Sequence, residues 1–225
     1  MDRYGQFCPV AKATELLTER WTLLVLRELL AGSSQFNQLR RGVPRMSPTL
    51  LAKRLRMLEK AGIVVRRDGA YFLSEAGREL EPIVMALGRW GIRWVPQLGE
   101  LDYDPHLLLW DMHRRVDVSR VPARRTVLEF AFSDAASAAR WWIVLSRSGA
   151  DLCDFDPGYG TAVVVTGSLR ALVRVWRGDL AWSAAVRSGQ LTLTGSESAR
   201  RAFPHWFLLS DFAPVERPAP LVAAG

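Results

Sequence analysis

Residues 46–62 read MSPTLLAKRLRMLEKAG, and no other stretch of the chain restricts its fold as much. Ser47 is a good helix N-cap, and Pro48 suits the first helical position, where no backbone N–H is needed. Gly62 ends the helix. At 100° per residue, Lys53, Arg56 and Lys60 fall within about 40° of Thr49, and Leu51, Leu55 and Leu58 fall on the opposite side. Such a helix needs an apolar core against its leucine side and leaves a basic stripe about 16 Å long on the other. A stripe of that length fits a DNA major groove, which is about 12 Å wide. Taken alone, it is equally a solvated face on a core-packed helix.

The neighbouring segments bear on that choice. Residues 8–17 (CPVAKATELL) place Val10, Ala13, Leu16 and Leu17 on one helical face, and residues 21–31 (WTLLVLRELLA) keep helical spacing up to Gly32. Ser33 and Ser34 are expected to cap a short helix over 35–41, which Gly42 and Pro44 break. After the basic helix, Ile63–Arg67, an Asp68-Gly69 turn and Ala70–Leu73 read as a small hairpin. Ser74 is expected to cap one long helix running to about Leu98. Short helix, turn, basic helix and hairpin form a helix-turn-helix order with a wing.

Charge follows the same segment. The chain carries a net charge of +7, of which +6 lies in residues 1–100, and residues 36–67 hold nine basic residues and one acid, Glu59. An ordinary solvated surface interleaves both signs. The expected partner is therefore double-stranded DNA, since lysine and arginine neutralise phosphates and release counterions. Ser47, Pro48, Thr49 and Lys53 stand near the helix start, where base edges are read. Arg54, Arg56 and Lys60 follow along the helix, Arg66 and Arg67 lie on the wing, and Arg40 and Arg45 sit near the backbone entering the helix.

CPV at 8–10, RWTLLVLRELLAG at 20–32, FNQLRRGVPRMSPTLLAKRLRMLEKAGIVVRR at 36–67 and YFLSEAGREL at 71–80 resemble the HxlR family of bacterial winged-helix transcriptional regulators. The resemblance covers roughly residues 7–98. It implies a homodimer on a pseudo-palindromic operator, repressing or activating a nearby gene. It also implies dimer contacts from the first helix and from the 75–98 helix with Leu87, Trp90 and Trp94. The alternative for those tryptophans is packing within the chain. The family usually stops soon after this helix, whereas this chain continues for about 125 residues.

Near Asp102–Pro105 the character changes, and residues 101–225 read as a second, α+β domain joined to the mainly α winged helix-turn-helix domain of residues 1–100. Strands are expected at 126–132, 141–146, 151–155, 161–166 and 190–194, with helices over 168–177, 179–187 and 197–209. Residues 159–207 (YGTAVVVTGSLRALVRVWRGDLAWSAAVRSGQLTLTGSESARRAFPHWF) resemble the sterol carrier protein-like domain. That resemblance implies an apolar tunnel holding a hydrophobic small molecule, an effector in a regulator or a cargo in a carrier. Phe130, Trp141, Trp176, Trp182 and Trp206 are the candidate lining residues, with core filling as the plainer reading.

The chain has no GxSxG, HExxH or paired CxxC, and His106, His113 and His205 lack metal-ligand spacing, so an enzyme, a metal and a cofactor are not expected. Two cysteines, Cys8 and Cys153, are too few for a disulfide scaffold. Some HxlR-family proteins use a cysteine matching Cys8 to sense oxidants, and Lys12, one turn away, is placed to favour its thiolate. The alternative is a small residue packing at a helix start. The N-terminus lacks an apolar signal region and no run approaches the roughly 18 apolar residues of a membrane span, so a cytoplasmic protein with no membrane partner is expected.

Overall fold

The structure, a computed structural model, describes residues 4–95, 97–135 and 140–218. The chain forms two compact units, Met1–Gly88 and Arg89–Gly225.

The first unit opens with α1 (Pro9–Leu17), α2 (Thr22–Leu30), α3 (Phe36–Gly42) and α4 (Pro48–Lys60). A two-stranded antiparallel hairpin of β1 (Val64–Arg67) and β2 (Ala70–Leu73) follows, then α5 (Glu75–Arg78) and α6 (Glu81–Trp94), a helix that continues past Gly88 into the residues of the second unit. Val25, Leu26 and Leu29 of α2, Leu39 of α3 and Leu51, Leu55 and Leu58 of α4 meet Val43, Met46, Ile63, Val64 and Tyr71 in one core. Each fully buried leucine contributes about 1.5–3 kcal/mol, so the three on α4 fix its rotation about its own axis.

Two local expectations are corrected. Ser33 and Ser34 do not cap α3. Gln38 reaches back instead, its Oε1 accepting the Ser34 and Gln35 N–H groups at 3.0 Å each, while Ser33 is buried with its Oγ 3.3 Å from Glu28 Oε2. The long helix expected from Ser74 is two. Ser74 caps only α5, accepting from Gly77 N–H at 3.1 Å, and Pro82 has no N–H to continue the ladder back to Arg78.

The second unit begins with a 3-10 turn at Glu100–Asp102 and α7 (Pro105–His113), a helix in a segment expected to be mostly strands. The strands β3 (Thr126–Phe132), β4 (Arg140–Ser146), β5 (Gly149–Cys153) and β6 (Thr161–Gly167) precede α8 (Leu169–Trp176) and α9 (Trp182–Arg187). β7 (Leu191–Gly195) and α10 (Glu197–Ala202) complete the set. Helix 197–209 stops at Ala202 and tightens to a 3-10 turn over Phe203–His205, which contains Pro204. The sheet order is β5-β4-β3-β6-β7, antiparallel throughout except for the parallel pair β3–β6. Alternation sends Leu128, Phe130 and Phe132, then Trp141, Ile143 and Leu145, then Val163 and Val165, into one core with α7 and α8. Ser168 caps α8, and Asp134 accepts the Ser168 hydroxyl at 2.8 Å and the Leu169 N–H at 2.5 Å.

Candidate nucleic-acid interface

The leucine side of α4 faces inward, so its opposite side is open. Thr49, Lys53, Arg56 and Lys60 are exposed on that side, and Ser47 and Pro48 are exposed at the helix start. Ser47 holds the helix start by accepting Leu50 N–H at 3.3 Å. Arg40 and Arg45 are exposed in the segment that leads into α4. The first turn of α4 holds no acid, so nothing in it opposes an approaching phosphate.

Arg54 departs from the expectation. It lies roughly 140° from Thr49 around the helix, on the leucine side. It is buried there, with Nη2 2.5 Å from Glu19 Oε2 and Nε donating to the Arg20 carbonyl at 3.0 Å. The next residue, Trp21, has a left-handed backbone with φ of 78°, and the Arg20 guanidinium lies 5.3 Å over its ring. Arg54 thus pins a strained turn between α1 and α2 and is no part of the exposed basic side of α4. The wheel angle alone is the signal that finds it.

The wing carries its arginines differently from one another. Arg66 and Arg67 are both exposed, but the Arg66 guanidinium lies 5.4 Å over the ring of Tyr71, its cross-strand partner. Asp68 (φ 48°) and Gly69 (φ 80°) make the turn between the strands. Asp68 is exposed at the apex, one residue past the stretch in which sequence reasoning counted charge.

Behind α4, Glu28 is fully buried, its Oε1 accepting from Arg27 Nη2 at 2.9 Å. The same Arg27 Nη2 donates to the Gly42 carbonyl at 2.9 Å. A Cβ on Gly42 would stand 1.9 Å from Glu28 Cδ, so the carboxylate fills the space of the absent side chain. This clasp joins α2 to the end of α3, just before the turn into α4, and sequence reasoning missed it.

Residues 16–98 match the HxlR-like helix-turn-helix family model. The chain is 37% identical over 101 residues to the HTH-type transcriptional regulator sll1512 of Synechocystis sp., covering 41% of this chain and 74% of that protein. The chain belongs to the HxlR family. It is also 33% identical over 100 residues to YvaP of Bacillus subtilis, covering 40% of this chain and 92% of the relative. With Rv3095 of Mycobacterium tuberculosis it shares 43% identity over 97 residues, 39% of this chain but only 60% of that relative's length. The N-terminal unit of this HxlR-family chain is a DNA-binding helix-turn-helix of transcriptional-regulator type. The family model ends at residue 98, so the second unit lies outside it except for residues 89–98.

The aromatic residues of the second unit mostly fill its core. Phe130, Trp141, Trp176 and Trp206 are buried, and Trp182 packs against them. Phe203, not singled out from sequence, is their hub, within 6.4 Å of Phe130 and edge-on to Trp182 at 5.2 Å and to Trp206 at 6.2 Å. The Trp176 indole N–H donates to Asp111 Oδ2 at 2.7 Å. Trp182 Nε1 is buried without a hydrogen-bond partner among the described residues.

Cys8 is half-buried at the N-cap of α1. Lys12 Nζ is 3.1 Å from Glu15 Oε1, forming an ion pair one turn along. No helix among the described residues is long and apolar enough to cross a membrane.

Proposed function

We propose that this HxlR-family regulator acts as a homodimer on an operator in double-stranded DNA. In this reading residues 1–100 serve DNA binding and dimerisation, and residues 101–225 form a sterol carrier-like domain that takes a hydrophobic effector. The observation that carries the DNA reading is the exposed stripe of Thr49, Lys53, Arg56 and Lys60 over the fully buried Leu51, Leu55 and Leu58. Dimerisation is supported by α6, where Ile83, Leu87, Trp90 and Trp94 recur at helical spacing and are each about half exposed, Trp90 at 58%. Support for the effector is the aromatic core and the unpartnered donor on Trp182. An effector acts only through differential affinity for the DNA-competent and incompetent states.

The test of the DNA reading is fluorescence anisotropy with the duplex upstream of the protein's own gene. Lys53→Ala with Arg56→Ala removes two phosphate contacts. The dependence of log Kd on log salt should become shallower by roughly 1.8. Operator binding as tight as wild type in that double variant refutes the assignment of α4. Sedimentation of wild type against Trp90→Glu checks the dimer, an unchanged mass excluding the α6 face. Mass spectrometry of molecules that co-purify with the full chain checks the effector, and an empty domain from several hosts counts against it.

A further inference from the structure

We infer that the wing rests on the phosphate backbone and stays out of the minor groove, and that Asp68 at its apex limits affinity for DNA. The inference rests on the reading of α4 as the groove helix.

Reach is the first ground. Tyr71, two residues past Gly69, already donates its N–H to the Ser34 carbonyl at 2.8 Å, and Ala70 and Tyr71 are buried. The hairpin is tied to the body of the unit almost up to its turn. Only Arg67–Gly69 projects freely, and at about 3.4 Å per residue, with the chain doubling back, that gives the backbone a reach of roughly 5 Å. The minor groove is about 6 Å wide and 7.5 Å deep, so the backbone of a two-stranded tip of that reach does not arrive at base edges.

Charge is the second ground. Positive φ at both central residues makes the turn type I′, which Asn, Asp and Gly accommodate. Asn and Asp fit this backbone alike, and here Asp puts a carboxylate where a wing would enter the groove first. The minor groove carries a negative potential that attracts arginine and repels carboxylate. Arg66, the nearest cation on β1 besides Arg67, is laid back over Tyr71 and does not extend past the tip. The result is a carboxylate apex with two arginines set behind it, which suits phosphates along the groove edge. Such a residue weakens sequence-independent binding and leaves discrimination to α4.

The test compares wild type, Asp68→Asn and the Lys53→Ala/Arg56→Ala double variant on the upstream duplex and on an unrelated duplex, at about 50 and 200 mM salt. Asn keeps the turn, and an unchanged melting temperature confirms it. One charge removed about 7 Å from phosphate in water corresponds to roughly threefold tighter binding to both duplexes at low salt, with a smaller gain at high salt. A minor-groove ligand such as netropsin should leave wild-type binding intact. Unchanged or weaker binding by Asp68→Asn, or displacement by netropsin, overturns the inference. Undiminished binding by the double variant instead overturns the reading of α4 beneath it.

Discussion

Replacing Arg54 by Ala separates an arginine that builds the fold from the residues proposed to meet DNA. The guanidinium makes two charge-assisted contacts, to Glu19 at 2.5 Å and to the Arg20 carbonyl at 3.0 Å. A buried hydrogen bond from a charged donor is worth about 1.5–3 kcal/mol. The Glu19 side chain is 35% exposed, so solvent screens that contact and its share falls to about 1 kcal/mol. Loss of the Arg20 contact also frees the carbonyl that precedes the left-handed Trp21, a conformation costing about 1–2 kcal/mol that the clasp opposes. The sum is about 3 kcal/mol, or more than about 10 °C in Tm for a unit of this size. Differential scanning calorimetry of the full chain follows the unfolding of each unit, and anisotropy well below Tm reads DNA affinity. Arg54→Ala should melt early yet bind like wild type when folded, whereas Lys53→Ala should melt like wild type and bind weakly. Arg54→Lys should recover only part of the loss, because an ammonium cannot span both acceptors as the guanidinium fork does. Wild-type Tm with weakened DNA binding in Arg54→Ala would refute the reasoning and return Arg54 to the interface.

Gly42→Ala should destabilise by about 2–4 kcal/mol, since its Cβ would displace the buried Glu28 carboxylate. Adding Glu28→Ala should cost less than the sum of the two single changes, and strict additivity in denaturant melts would show that the two do not share one space. Burial pushes the His113 imidazole from 6.5 down to about 4, against the Trp110 carbonyl, which accepts from Nδ1 at 2.5 Å. The folded value lies below the unfolded one, so the unfolded chain binds the proton first. Stability is therefore intact above about pH 6.5 and falls toward pH 4 by up to about 3 kcal/mol. His113→Gln should flatten that slope, and urea midpoints at three pH values with unchanged slope would exclude His113 as its source.

The sequence made visible what is periodic and capped, and it hid what is buried all round or paired across the chain. The bounds of α4 and β3 were readable because Ser47-Pro48 and the alternation of Leu128, Phe130 and Phe132 are local signals. Helix α7 carries the same start signal in Asp104-Pro105, with Asp104 accepting Leu107 N–H at 3.2 Å. It escaped because Leu108, Leu109, Trp110 and Met112 are all buried, so its apolar residues cover most of its circumference and show no period. The parallel pairing of β3 with β6 across two intervening strands has no local signature at all. Phe203 likewise becomes a hub only when α10 and its 3-10 turn come back over β3.

The candidate site shows a different limit, which is that charge counted along a sequence is not charge counted on a surface. Of the nine basic residues in 36–67, Arg54 is internal and Arg66 lies on Tyr71. Asp68 stands just outside that stretch yet occupies its most forward point. A phosphate responds to the charge it can approach within a Debye length, about 8 Å at physiological salt. Lys53, Arg56 and Lys60 are exposed along one helix face and open to such an approach, and the wing offsets part of its own arginine charge with Asp68. Affinity should therefore follow substitutions on α4 steeply and substitutions at Arg66 weakly, although the sequence assigns both the same formal charge.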